Sequence, residues 1–138
     1  MKQQTIEAQS ELYVSNLGGN RPTLFSVELR TQQWPTMVEW YRCVLGLRVL
    51  VRVVDDGYAL LAAGDTRLAL LQRPDADQSS RRWSLGFEVA DLESIQARLI
   101  EAGTEIVKIK ENPEGFRELV ATDPDGNRIR LFVWSAGR

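Results

Sequence analysis

From Thr23 onward, the apolar and polar positions switch between the period of a strand and the period of a helix, and then repeat that switch. Leu24 to Arg30 alternates with period two and predicts a strand. Pro35 suits the first turn of a helix. Met37, Trp40, Tyr41 and Val44 follow at i, i+3, i+4 and i+7, one helical face, and Gly46 is placed to end it. Strands are predicted over 47–54, 58–62 and 67–72, with turns at Asp55-Asp56-Gly57 and Ala63-Gly64-Asp65. A polar linker fills 73–82. The second half predicts a strand over 83–89, then a helix with Asp91 as N-cap and Leu92, Ile95 and Leu99 on its apolar face. Gly103 closes that helix, and strands follow over 106–110, 116–121 and 127–134. The stretch 110–115 is expected as a loop and Asp123-Pro124-Asp125-Gly126 as a turn that needs no bound ion.

The chain therefore reads as two βαβββ modules, 23–73 and 83–138, in one α+β domain, 23–138. Ser26 and Ser84 lie 58 positions apart (84 − 26) and the two helix-ending glycines 57 apart (103 − 46), which is evidence of internal duplication. Two such modules predict a strongly curved eight-stranded mixed sheet. Its two helices lie on the convex face and its concave face is open to a ligand. Residues 1–22 are polar, end in Gly18-Gly19-Asn20-Arg21-Pro22, and read as an N-terminal arm.

Composition narrows the chemistry. The chain has no histidine, the commonest transition-metal ligand and the usual general base near neutral pH, so serine–histidine and cysteine–histidine catalysis is excluded. The net charge of −2 is spread over mixed acidic and basic residues and gives no reason to expect nucleic acid or an anionic membrane as partner. No apolar run approaches the length of a membrane span. A single cysteine, Cys43, and no secretory pattern at the N-terminus lead to an expected cytoplasmic location, with Cys43 an inert thiol.

Three segments carry a family resemblance. Trp40-Tyr41-Arg42-Cys43-Val44-Leu45-Gly46-Leu47-Arg48-Val49 resembles the "FYRDVLGLRV" element that ends the first helix in the glyoxalase / bleomycin-resistance / extradiol-dioxygenase superfamily (the vicinal-oxygen-chelate fold). Leu85-Gly86-Phe87-Glu88-Val89-Ala90-Asp91-Leu92 resembles its "xGFEVxDL" entry to the second helix, and the segment from Asp123 to Phe132 resembles its terminal "DPDGNxIELF" hairpin. The resemblance implies the same fold and, in most members, a metal held by His, Gln or Glu on four strands. Carried over, those positions fall on Ser26, Ser84, a residue near Leu70, and Arg130. Two hydroxyls, a hydrocarbon and a cation do not make a divalent-ion site, so neither metal nor cofactor is expected. Dimerisation is implied by the resemblance alone.

Strand alternation then assigns the cavity lining. Ser26, Glu28 and Arg30 face inward from the first strand, and Ser84, Gly86 and Glu88 from its equivalent. Glu118 and Val120 do so from the seventh strand, and Arg128, Arg130, Phe132 and Trp134 from the last. Two readings of this lining stand. In one, Ser26, Glu28, Ser84, Glu88, Glu118, Arg130, Phe132 and Trp134 bind an amphipathic small molecule, with the Arg130 fork on an anionic group and the aromatics on its body. In the other, the acids and arginines simply pair with each other. A metal-independent isomerase or lyase, with a cavity glutamate of raised pKa as base and Arg130 stabilising an enolate, is the enzymatic alternative. Trp40 and Tyr41 are expected in the core. Tyr58 is left open between the cavity lining and the surface, and Trp83 between the cavity rim and a dimer seam.

Overall fold

A computed structural model describes residues 20–77, 81–112 and 116–134, with the side chains of Asn112 and Trp134 outside that description. The proposed arm, 1–22, therefore lies almost wholly outside the described residues. The element order is β1 (Ser26–Thr31), α1 (Trp34–Glu39), a π-helical turn (Trp40–Val44), β2 (Arg48–Val53), β3 (Tyr58–Ala63) and β4 (Thr66–Gln72). The second module follows with β5 (Leu85–Glu88), α2 (Leu92–Glu101), β6 (Ile106–Asn112), β7 (Phe116–Thr122) and β8 (Arg128–Trp134).

The α+β class and both βαβββ modules stand as expected. The eight strands form two four-stranded mixed sheets, ordered β1-β4-β3-β2 and β5-β8-β7-β6. In each, the first strand runs parallel to the last and the remaining pairs are antiparallel. The duplication extends to irregularities. A register shift interrupts β2 between Val49 and Val51 and interrupts β6 between Ile106 and Lys108, the same 57-residue offset (106 − 49, 108 − 51) as the glycines with positive φ, Gly46 and Gly103.

The helix-facing residues of both sheets merge into one core that includes Leu29, Tyr41, Leu61, Leu70, Leu99, Leu119, Ile129 and Leu131. α1 and the π-helical turn join the modules. Tyr41 Oη donates to Asp123 Oδ2 at 2.7 Å, Trp40 Nε1 donates to Thr104 Oγ1 at 3.1 Å, and Gln33 Nε2 donates to the Pro124 carbonyl at 3.0 Å. Trp40 and Tyr41 are both buried, as expected, with rings edge to face at 4.9 Å. α2 begins as read: the Asp91 side chain accepts from the Ser94 N–H at 3.3 Å.

Two details differ from the sequence reading, and a third, the position near Leu70, is fixed by the register. The first helix widens into a π turn over Trp40–Val44, where the Leu45 N–H reaches back to the Trp40 carbonyl. The apolar spacing fits either winding, so periodicity does not distinguish them. β6 continues through Lys110, Glu111 and Asn112, which pair with Glu118, Arg117 and Phe116; only 113–115 of the expected loop remains outside strands, and it lies outside the described residues. Leu70 belongs to the core and is fully buried; the register Glu28↔Ala69 puts Ala69 on the opposite face. All of Leu68 to Leu71 is buried, so alternation carries no signal in β4.

Candidate functional site

The site is built on the sheet faces turned away from the helices. In β8, Ile129 and Leu131 are buried in the core, which turns Arg130 and Phe132 to the other side. Gly86 is the register partner of Arg130, and a methyl group added there would lie 3.9 Å from Phe132 Cε1 and 4.0 Å from Arg130 Nη1. Gly86 thus faces Arg130 and Phe132, and a methyl group there would make ordinary van der Waals contact with both.

Arg130 Nε donates to Glu118 Oε1 at 2.6 Å, a pair whose side chains are 39% and 12% exposed. The guanidinium hydrogen bond, reinforced by the charges of Arg130, Lys110 and Lys108, holds the Glu118 carboxyl below the usual glutamate range. That direction is opposite to the raised pKa the enzymatic alternative asks of a cavity glutamate. Phe132 packs against Phe116 with ring centroids 5.5 Å apart. Arg130, Glu118, Phe132 and Phe116 therefore form one cluster on one sheet.

The other expected residues are elsewhere. Ser26 opens β1. Glu28 and Arg30 are exposed on the helix-free face of the first sheet and pair only loosely, at 3.4 Å. No ion pair joins Glu28 or Arg30 to Glu118 or Arg130 among the described residues, so the structure forms two clusters. Ser84 is half-buried just before β5, and Glu88 is exposed at the end of that strand. The Trp134 backbone pairs with Phe116; its side chain lies outside the described residues. Tyr58 is half-buried on the helix-free face opposite Leu71, and Trp83 is exposed beside Arg82 and Ser84.

Three members of the second cluster's surroundings escape the sequence reading. Phe116 has the parity of Glu118, and Lys108 and Lys110 oppose Val120 and Glu118 across the β6–β7 ladder. All three stand on predicted strands, but the cavity lining leaves them out; the alternation Lys108, Ile109, Lys110 is the signal that gives the two lysines their face.

The four ligand positions that the resemblance implies fall on Ser26, Ser84, Arg130 and, near Leu70, on Ala69, the residue that the register puts on the face of Glu28. One of them is a guanidinium already bonded to a carboxylate, and this donor set does not fit a divalent cation. Among the described residues no group of three or more acidic or cysteine side chains could hold a metal ion. Asp123, the buried carboxylate of the β7–β8 turn, accepts from Tyr41 Oη, from the Asn127 N–H at 2.9 Å and its Nδ2 at 2.8 Å, and from the Asp125 N–H at 2.9 Å. Burial raises its pKa despite these donors. Cys43 is exposed and donates to Glu39 Oε2 at 3.3 Å.

The family model of the glyoxalase / bleomycin resistance protein / dioxygenase superfamily matches residues 23–131, and the chain belongs to that family. Among solved structures, it is similar to a glyoxalase / bleomycin resistance protein / dioxygenase from Nocardioides, with 21% identity over 94% of this chain and 95% of that one and a TM-score of 0.67. TioX from Micromonospora sp. ML1 is 22% identical over 82% of this chain and 99% of its own, with a TM-score of 0.67. Lactoylglutathione lyase from Agrobacterium tumefaciens is 15% identical over 83% and 95%, with a TM-score of 0.63. At these identities the likeness is one of fold. No curated protein is a significant match.

Proposed function

We propose that this protein is a metal-free, non-enzymatic member of its family that binds an amphipathic small molecule on the helix-free sheet faces. The observation that carries the reading is the Arg130 guanidinium. It stands at the last-strand position where the resemblance implies a metal-ligating glutamate, uses Nε on Glu118, and stays 39% exposed. Its remaining N–H groups suit a carboxylate or phosphate, and Phe132 with Phe116 offers an apolar wall beside it. Ser26, Glu28, Ser84, Glu88 and Trp134 complete the proposed lining.

A homodimer belongs to the same reading. The edge strand β2 and the turn after it expose Leu50, Val51, Val53 and Val54, an apolar strip that a second copy would cover. A cytoplasmic location is also proposed; no described helix is long and apolar enough to cross a membrane.

The test is a thermal-shift and calorimetric comparison of aromatic carboxylates with their uncharged amides. Carboxylates are expected to stabilise the wild type, and Arg130→Gln to weaken them by roughly tenfold or more, as loss of a charge-assisted hydrogen bond implies. Equal response of wild type and Arg130→Gln would overturn the assignment.

A further inference from the structure

A second hollow lies where the two modules meet. Val27, Leu47 and Leu68 line it from the first module, and Leu85, Phe87 and Leu131 from the second. It encloses about 620 Å³, within the range of small-molecule sites. Four of these six side chains, Val27, Leu47, Leu85 and Phe87, pack on the core yet stay only partly buried. The seam therefore leaves apolar surface against solvent in a concave setting. At Gly64, on the lining, an added methyl group would meet nothing within 4 Å.

Two charged side chains border the hollow, Arg67 and Glu88. Glu88 has a partner already. Arg67 has no carboxylate within ion-pair distance among the described residues; its guanidinium lies 4.4 Å from the centre of the exposed Phe25 ring. A stacked guanidinium keeps its N–H edge available in plane, so its fork can still receive an anion. By contrast, Arg30 and Arg130 both have glutamate partners.

We infer that the seam is a ligand site distinct from the Arg130 cluster, sharing with the lining proposed above only Glu88 at its border, and that it takes a molecule with an apolar body and one anionic head. The body lies against Leu85, Phe87 and Val27, and the head meets Arg67. Charge complementarity sets the class: the lining offers apolar carbon and one cation without a carboxylate.

Isothermal titration of the full chain with decanoate and with uncharged 1-decanol tests this. Decanoate is expected to saturate one site per chain. Arg67→Gln should weaken decanoate about tenfold or more and leave decanol within about twofold, the scale of one charge-assisted hydrogen bond. Leu85→Trp should weaken both ligands by filling the seam. Leu24→Glu, at an exposed position of the lining, should weaken decanoate without touching the core. Arg130→Gln should change neither ligand, which separates this site from the one proposed above. Absence of saturable binding, or decanoate affinity unchanged by Arg67→Gln, would overturn the inference. So would loss on Arg130→Gln with Leu85→Trp silent, because the ligand would then lie on the other face.

Discussion

At the scale of single residues, two carboxylates sit in opposite electrostatic situations. Asp123 is buried and its pKa is raised by desolvation, so four donors are needed to hold its charge. Tyr41→Phe removes one of them and is expected to cost about 1–3 kcal/mol near neutral pH, read by urea denaturation. The folded state binds the Asp123 proton more tightly than the unfolded chain. Ionised Asp123 therefore opposes folding above its folded pKa, and the deficit of Tyr41→Phe should shrink as the pH falls through that value. A deficit that widens on acidification would contradict this. Glu118 is the reverse case. Its folded pKa is lowered, so its contribution is present above the unfolded value of 4.5 and is lost as pH falls through the folded one. Because Arg130 is more than a third exposed, screening limits that contribution to about 1 kcal/mol or less. Glu118→Gln should flatten the acid limb of the stability–pH curve by that amount.

At the scale of elements, alternation made most strands legible, and it failed where both faces are covered. β1 reads cleanly because Glu28 and Arg30 are exposed around buried Leu29. β4 does not, since Leu68, Ala69, Leu70 and Leu71 are all buried; only the ladder to β1 shows that Ala69 shares the face of Glu28. The π turn is invisible for a related reason: the spacing of Met37, Trp40, Tyr41 and Val44 is compatible with two windings. Turns divide in the same way. Gly57 and Gly64 both have positive φ and look alike in sequence. A methyl group at Gly57 would lie within 2.4 Å of Gln72 Cβ, whereas one at Gly64 meets nothing within 4 Å. Gly57→Ala is expected to lose about 2–4 kcal/mol and Gly64→Ala only the backbone cost of about 1–2 kcal/mol, both measured by denaturant midpoint. Equal losses would show that the Gln72 contact relaxes freely.

At the scale of the whole molecule, family and modular order were legible, but the grouping of site residues was not. Ser26, Glu28, Glu118 and Arg130 share strand parity, which says nothing of how one sheet sits against the other. The seam depends on that placement too, so no motif announces it. The exposed apolar strip on β2 makes the assembly testable: wild type should elute at twice the chain mass in chromatography with light scattering. Val51→Lys with Val53→Lys, both on the helix-free face opposite Leu60 and Tyr58, should shift it to the single-chain mass. A wild type that is already single-chain would remove the dimer.

The bond from Tyr41 to Asp123 closes a loop of 82 residues, and Asp123 lies in the final hairpin. Synthesis is vectorial, so a nascent chain releases the first helix long before its hydroxyl has an acceptor. That one hydrogen bond is therefore a late event of folding, however early the first module's own apolar residues gather.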